Sequence, residues 1–163
     1  MESLLFQFKE GRDIALKEVF FKKWNTCINK RFKGWTLVYM PSSKKHSKER
    51  GFIPLEEMLQ HIRLEKIELF EKTKDYKQSS RSYIERKEVR KVMKLKDGVT
   101  IFPKKLLFVD DVVTSGNTLL SAYELVKGKA EIKALVLCDN HINDEESKVK
   151  KDFIYWLKHR IKK

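Results

Sequence analysis

Cysteine, proline and glycine are all scarce: two, three and six in 163 residues. Cys27 and Cys138 stand far apart and form no CxxC pair, which argues against a structural zinc site. Two lone thiols with no signal peptide in view lead to the expectation of a reducing, cytoplasmic setting. So few prolines and glycines leave little room for long disordered linkers, and no internal repeat is visible. No apolar run approaches the roughly 20 residues of a membrane span, so no spanning helix is expected. GxxxxGK[ST] is absent, which disfavours a P-loop.

What remains is a chain with 41% apolar residues, enough for a core, and a length that suits a single domain over residues 1–163. Lys and Arg number 36 against 23 Asp and Glu, a net charge of +13. That surplus favours anionic partners such as phosphates, nucleic acid or acidic membrane. Its competing explanation is an ordinary soluble domain from a lysine-rich proteome, because the lysines are scattered along the whole sequence.

Apolar spacing sets the element order. Ser3 to Lys9 reads as a short amphipathic turn. Asp13 is an expected N-cap for a helix carrying Ile14, Leu16, Val19, Phe20, Trp24, Cys27 and Ile28. Thr36–Met40 is a buried strand stopped by Pro41, and 41–51 is a basic loop. Leu55, Met58, Leu59 and Ile62 mark a helix, and Ile67–Phe70 a second strand. Residues 72–82 are polar, and 83–95 have helical spacing. Asp97-Gly98 is a turn, Val99–Phe102 a short strand, and Lys104–Asp111 the clearest central strand. Leu119–Val126 is helical and Ile132–Cys138 is another strand. Phe153, Trp156, Leu157 and Ile161 suggest a basic C-terminal helix within about 145–163. Strands alternate with helices, and the strands are continuously apolar. The expected class is therefore α/β, a mostly parallel sheet flanked by helices and covered on both faces.

Chemistry concentrates where the central strand ends. In open α/β sheets ligands sit beyond the carboxyl ends of the strands. Leu106–Val109 delivers Asp110 and Asp111 to that edge. Next comes Thr114, Ser115, Gly116, Asn117 and Thr118, all small or able to hydrogen-bond, with a helix expected to start near Thr118. Amides at a helix N-terminus bind phosphate, and Gly116 permits close backbone approach. Carboxylates repel phosphate but suit sugar hydroxyls or a magnesium ion. A phosphorylated ribose carries both features at about this separation. The competing reading is an Asp-Asp turn leading into a helix that Thr118 merely caps.

Four apolar residues, two acids, two apolar residues and Thr-Ser-Gly-x-Thr resemble the phosphoribosyl pyrophosphate (PRPP) motif of type I phosphoribosyltransferases. Three further blocks, "LLFQFKEGRDIALKEVF", "VYMPSSKKHSKERGF" and "QSSRSYIERKEVRK", resemble the ComF (competence protein F) family. The blocks follow that family's order over roughly residues 4–140. The resemblance implies a type I phosphoribosyltransferase-like fold with a small hood at about 72–82. It implies PRPP and Mg²⁺ as ligands and a glycosyltransferase reaction. In it a phosphoribosyl group passes to a nitrogen acceptor of unidentified type and pyrophosphate is released. Asp110 and Asp111 would be the catalytic acids, touching the metal directly or through ribose hydroxyls or water. Residues 114–118 would hold the 5′-phosphate. Ser42, Ser43 and Lys44 would face the pyrophosphate, against the alternative of a solvated lysine-rich turn. Gln78, Arg81 and Arg86 would belong to the hood. The alternatives there are an ordinary surface loop and, for Arg86, an exposed salt bridge.

The chain departs from the family at several points. No counterpart of the frequent N-terminal cysteine zinc finger is expected. Ile53-Pro54 stands where Asn-Gln is common, and the Asn expected shortly after Arg86 is missing. Some relatives have Asp where Thr114 stands, so no general base is named. The family's tie to natural transformation supplies a second reading: a non-catalytic module binding single-stranded DNA or competence proteins. Relatives of this fold are often dimers, which makes a second copy a candidate partner. His46 is placed to touch phosphate, while His61, His141 and His159 are read as structural or surface residues. Phe20, Phe21 and Trp24 are expected in the core. The lysines of 148–151 and 158–163 read as a solvated helix face, with nucleic-acid contact as the alternative.

Overall fold

The computed structural model describes residues 2–73, 93–114 and 116–139. The chain opens with α1 (Glu2–Lys9), a full helix where a short amphipathic turn was expected. Leu5 and Phe8 anchor it in the core, and Phe8 packs against Phe20 and Phe52 with both ring centroids 5.2 Å away. The expected long helix after Asp13 is four short pieces: turns at Ile14–Leu16 and Lys22–Trp24, α2 (Lys17–Phe20) and α3 (Asn25–Arg31). Asp13 does cap the first, accepting from the Ala15 amide at 3.2 Å. Phe20 and Phe21 are both buried, so the chain tightens between them where one regular helix would present only one ring inward. Trp24 is 38% exposed, which corrects its expected place in the core.

β1 (Thr36–Tyr39), β4 (Lys105–Val113) and β5 (Glu131–Asp139) form a parallel sheet in the order β1-β4-β5. Leu106 to Val109 are fully buried, so both faces of the central strand are covered, as its unbroken apolar run implied. α4 (Lys44–Arg50) occupies most of the stretch expected to be a basic loop. Lys, Glu and Arg are good helix formers, and the loop shrinks to Pro41–Ser43. α5 (Pro54–Met58) starts on proline, whose missing amide costs nothing at a first helical position.

The expected strand at Ile67–Phe70 is displaced. Residues 65–67 make only a parallel bridge along β1, with Leu37 N–H donating to Glu65 and Ile67 N–H to Leu37. The next strand, β2 (Phe70–Lys72), pairs antiparallel with β3 (Met93–Leu95) as a separate ribbon. Met93–Leu95 is therefore strand, not helix. Phe70 packs edge-on against Phe108 of the central strand, which seats the ribbon over the sheet. Val99–Phe102 forms no strand: Ile101 is 85% exposed and Pro103 follows at once. The turn at Asp97-Gly98 is present, and α6 (Asn117–Val126) crosses from β4 to β5. No helix among the described residues is long and apolar enough to cross a membrane. The C-terminal segment 145–163, with His141 and His159, lies outside the described residues.

Phe8→Ala should cost about 3–5 kcal/mol in urea unfolding, because the ring is fully enclosed. Phe6→Ala on the same helix, where the ring is 67% exposed, should stay within about 0.5 kcal/mol. Equal midpoints for the two variants would show that α1 is not docked as described.

Candidate functional site

β1 ends at Tyr39, whose register partner is Val109, and the Met40 amide donates to the Val109 carbonyl at 2.9 Å. β4 then continues alone on that side through Asp110–Val113 while still pairing with β5. The two acids thus stand where one neighbour has stopped and the other persists. Pro41–Ser43 leaves the sheet at the same level, so the loop with Ser42 and Ser43 begins beside the acid pair. Such a step at the carboxyl edge is where parallel sheets hold ligands.

The acids are held by their own backbone. The Asp111 amide donates to Asp110 Oδ1 at 3.0 Å, and the Val112 amide to Asp111 Oδ1 at 2.8 Å. Lys9 Nζ, from the end of α1, pairs with Asp111 Oδ2. Burial pushes the Asp110 carboxyl up to about 7, and the Asp111 charge adds to that. The Asp111 amide, Lys9 and Lys72 pull the other way without overcoming it. Lys72 comes from β2, so the ribbon also faces this acid.

After the acids, Thr114 is exposed at the end of β4. The N-cap of α6 is Gly116 at φ 69°, with no side-chain cap bond. Thr118 therefore lies inside the first turn and is not the cap. Glycine takes that backbone at little cost and adds no side chain at the start of the helix. Asn117 and Thr118 follow in the first turn, half-buried. Ser42 and Ser43 are half-buried, and Ser43 is the N-cap of α4, whose first residue is Lys44. Ser115, Gln78, Arg81, Arg86 and the side chain of Lys44 lie outside the described residues.

His46 pairs with Glu49 at 3.4 Å on an exposed helix face, and His61 with Glu18 at 2.9 Å. His61 is thus a structural residue. The His61 and Lys22 contacts hold Glu18 at about 2, below the usual carboxylate range, with the Lys22 bond the larger cause. No group of three or more His, Cys, Asp or Glu side chains suited to a metal occurs among the described residues. A metal cage built by protein alone is thus not offered there. Two adjacent carboxylates do suit Mg²⁺, which commonly takes one or two carboxylates and completes its shell with substrate oxygens and water. Lys9 and Lys72 were not singled out from the sequence. Neither has a local signal, because each reaches the acids from a distant element.

The pH response follows from Asp110. Its folded carboxyl keeps its proton up to about 7, against an ordinary value of 3.8. The folded state therefore holds more protons than the unfolded chain between those limits, and stability falls as pH rises through them. Asp110→Asn cannot ionise and keeps an acceptor for the Asp111 amide. It should be more stable than the unsubstituted protein at pH 8, by at most about 4 kcal/mol, and melt at a higher temperature. The difference should close as pH falls toward 4. A gap that does not change with pH would show that Asp110 is not buried.

Residues 48–158 match the family described as "Phosphoribosyl transferase domain". Competence protein ComFC of Streptococcus pneumoniae (strain ATCC BAA-255 / R6) is 30% identical over 139 residues, covering 84% of this chain. The match takes in 62% of that relative's length. Among solved structures, a hypoxanthine-guanine phosphoribosyltransferase of Bacillus anthracis str. 'Ames Ancestor' aligns at 20% identity and TM-score 0.47, over 78% of this chain and 68% of its own. A hypoxanthine phosphoribosyltransferase of Staphylococcus aureus aligns at 15% identity and TM-score 0.45, over 76% and 62%. With the acid pair at the end of its central parallel strand, the chain belongs to the phosphoribosyl transferase domain family, as a ComF-like member of type I architecture.

Proposed function

We propose that this protein binds PRPP at the carboxyl edge of its sheet and transfers the phosphoribosyl group to a nitrogen nucleophile. The observation that carries the proposal is the overhang of β4: Asp110 and Asp111 stand past the end of β1, directly before a helix that begins on Gly116. The acids accept hydrogen bonds from the ribose hydroxyls. Residues 114–118 hold the 5′-phosphate through amides and hydroxyls. Ser42, Ser43 and Lys44 face the diphosphate. Gln78, Arg81 and Arg86, outside the described residues, are assigned to the hood on the family resemblance alone.

In the reaction the bond from C1 to the pyrophosphate oxygen breaks, and that oxygen keeps the electron pair. The acceptor nitrogen forms the new bond to C1 and later loses a proton. The sugar passes through an oxocarbenium-like state, whose positive charge the two carboxylates offset. Mg²⁺, when bound beside Asp110 and Asp111, supplies positive charge to the leaving diphosphate. Positioning and electrostatics thus account for most of the catalysis. A cytoplasmic location fits two cysteines, Cys27 and Cys138, that form no disulfide. A second copy of the chain is a candidate partner.

One observation favours a second reading, a non-catalytic module that binds single-stranded DNA. At the opposite, amino edge of the sheet, Lys133 and Lys105 lie over the Trp35 ring at 4.5 and 5.8 Å, and Lys129 over Phe102 at 4.7 Å. Lysines interleaved with aromatics suit a polyanion.

Calorimetry with PRPP and Mg²⁺ tests the first reading. The unsubstituted protein should release heat on binding, and Asp110→Asn or Asp111→Asn should weaken binding at least roughly tenfold. No heat from the unsubstituted protein abandons the enzyme. For the second reading, single-stranded DNA is titrated across salt concentrations. A log K that stays flat against log salt removes it.

A further inference from the structure

Phe8, Lys9 and Glu10 are consecutive in the sequence, and each grips a different part of the fold. Phe8 is fully buried between Phe20 and Phe52, the latter lying just past α4. Lys9 pairs with Asp111, and Glu10 with Arg50 at the end of α4. The end of α1 is thus fixed to the core, to the acid pair and to the helix behind the Pro41–Ser43 loop.

The chain leaves α1 through a close turn. Glu10 N–H and Gly11 N–H both donate to the Phe6 carbonyl, at 2.7 and 3.3 Å. A Cβ at Gly11 would lie 2.6 Å from the Gln7 carbonyl oxygen, too close for any other residue without a shift. Arg12 follows at φ 55°. These constraints set where Lys9 stands. Its charge is also favoured there, at a helix C-terminus.

An exposed lysine–carboxylate pair contributes little to a protein. This one is different in two ways. The side chains of Lys9 and Asp111 are only 23% and 13% exposed. The pair also completes the coordination of the acid: Asp111 Oδ1 accepts from the Val112 amide at 2.8 Å and Oδ2 from Lys9. With both oxygens held, the carboxylate plane cannot rotate freely. A hydrogen-bond acceptor for a sugar hydroxyl gains from being fixed before the ligand arrives.

We infer that Lys9 is a positioning residue of the site: its ammonium orients the Asp111 carboxylate for the sugar, and α1 is thereby part of the ligand-binding machinery. The inference rests on reading the acid pair as the grip on ribose. A merely structural Lys9 would affect melting without coupling specifically to Asp111.

The test is PRPP calorimetry with Mg²⁺ on the full chain, alongside thermal melting of each variant. Lys9→Met keeps the apolar stem and should weaken PRPP binding roughly tenfold, as expected when a charged hydrogen bond loses its partner. Lys9→Arg can remake the contact and should recover most of the affinity. In an Asp111→Asn background, Lys9→Met should cause little further loss, because the group it orients is already altered. Unchanged affinity in Lys9→Met overturns the inference while the PRPP reading stands. So does a loss of equal size in the Asp111→Asn background, or a failure of Lys9→Arg to recover. If Lys9→Met melts too early to titrate, Lys9→Arg and Asp111→Asn decide: full affinity in the first with loss in the second supports the inference, and equal loss overturns it. No binding by the unsubstituted protein overturns both readings together.

Discussion

Asp110 begins where four fully buried residues, Leu106 to Val109, give way to the first acid, and burial there favours its neutral form. The amide of its neighbour Asp111 helps, but the only lysine of β4, Lys105, is at the strand's other end. The cations that offset it come from elsewhere: Lys9 at the end of α1 and Lys72 on the ribbon. These elements are far apart in the sequence and meet only in the folded chain. The site therefore depends on the packing of α1 through Phe8 and of the ribbon through Phe70. A carboxylate pair with its cost only partly offset is suited to a ligand that brings its own positive charge or hydroxyl donors.

The parallel sheet explains why the pair stands there. β1 and β4 run side by side in register from Thr36↔Leu106 to Tyr39↔Val109. Proline at position 41 cannot donate to a continuing ladder, and β1 ends before it. β4 has no such stop and follows β5 through Val113↔Asp139. The step between the two strands leaves the acids past the end of β1, beside the start of the loop of Ser42 and Ser43. A proline and a register are enough to bring two segments about 70 residues apart in sequence to one place.

The parts of this arrangement that were legible in the sequence are those with a local signature. Leu106 to Val109 read as a buried strand because apolarity was unbroken, and Leu119 to Val126 as a helix because the period was 3.6. The acid pair and the turn after it were visible as residue types in a fixed order. Other features had no such mark. Gly116, rather than Thr118, caps α6, and a glycine cap leaves no side-chain signal. Residues 44–50 read as a loop because charge was weighed above helix propensity. Val99–Phe102 had strand composition but finds no partner in the described residues, so propensity alone did not decide. Lys9 was one lysine among many, and only the docking of α1 gives it a role.

The net charge of +13 is also not one feature but several. Near the ribbon and the acid pair, lysines meet carboxylates: Lys9 with Asp111, Lys94 with Glu71, Lys96 with Glu68. At the amino edge Lys105 and Lys133 both turn to Glu131, at 4.0 and 3.8 Å, so two cations share one anion. Their ammonium groups lie over the buried Trp35 ring. Charge at that edge acts through water and fades over about 8 to 10 Å in physiological salt. The acid pair lies at the far end of the same strand, five residues on from Lys105, or roughly 17 Å at strand spacing. That exceeds the screening length, so the lysines there do little to offset the acids or to draw a phosphate to them. An anion held at the amino edge would therefore belong to a surface of its own, and the acid pair relies on the cations that the fold brings to it directly, Lys9 and Lys72.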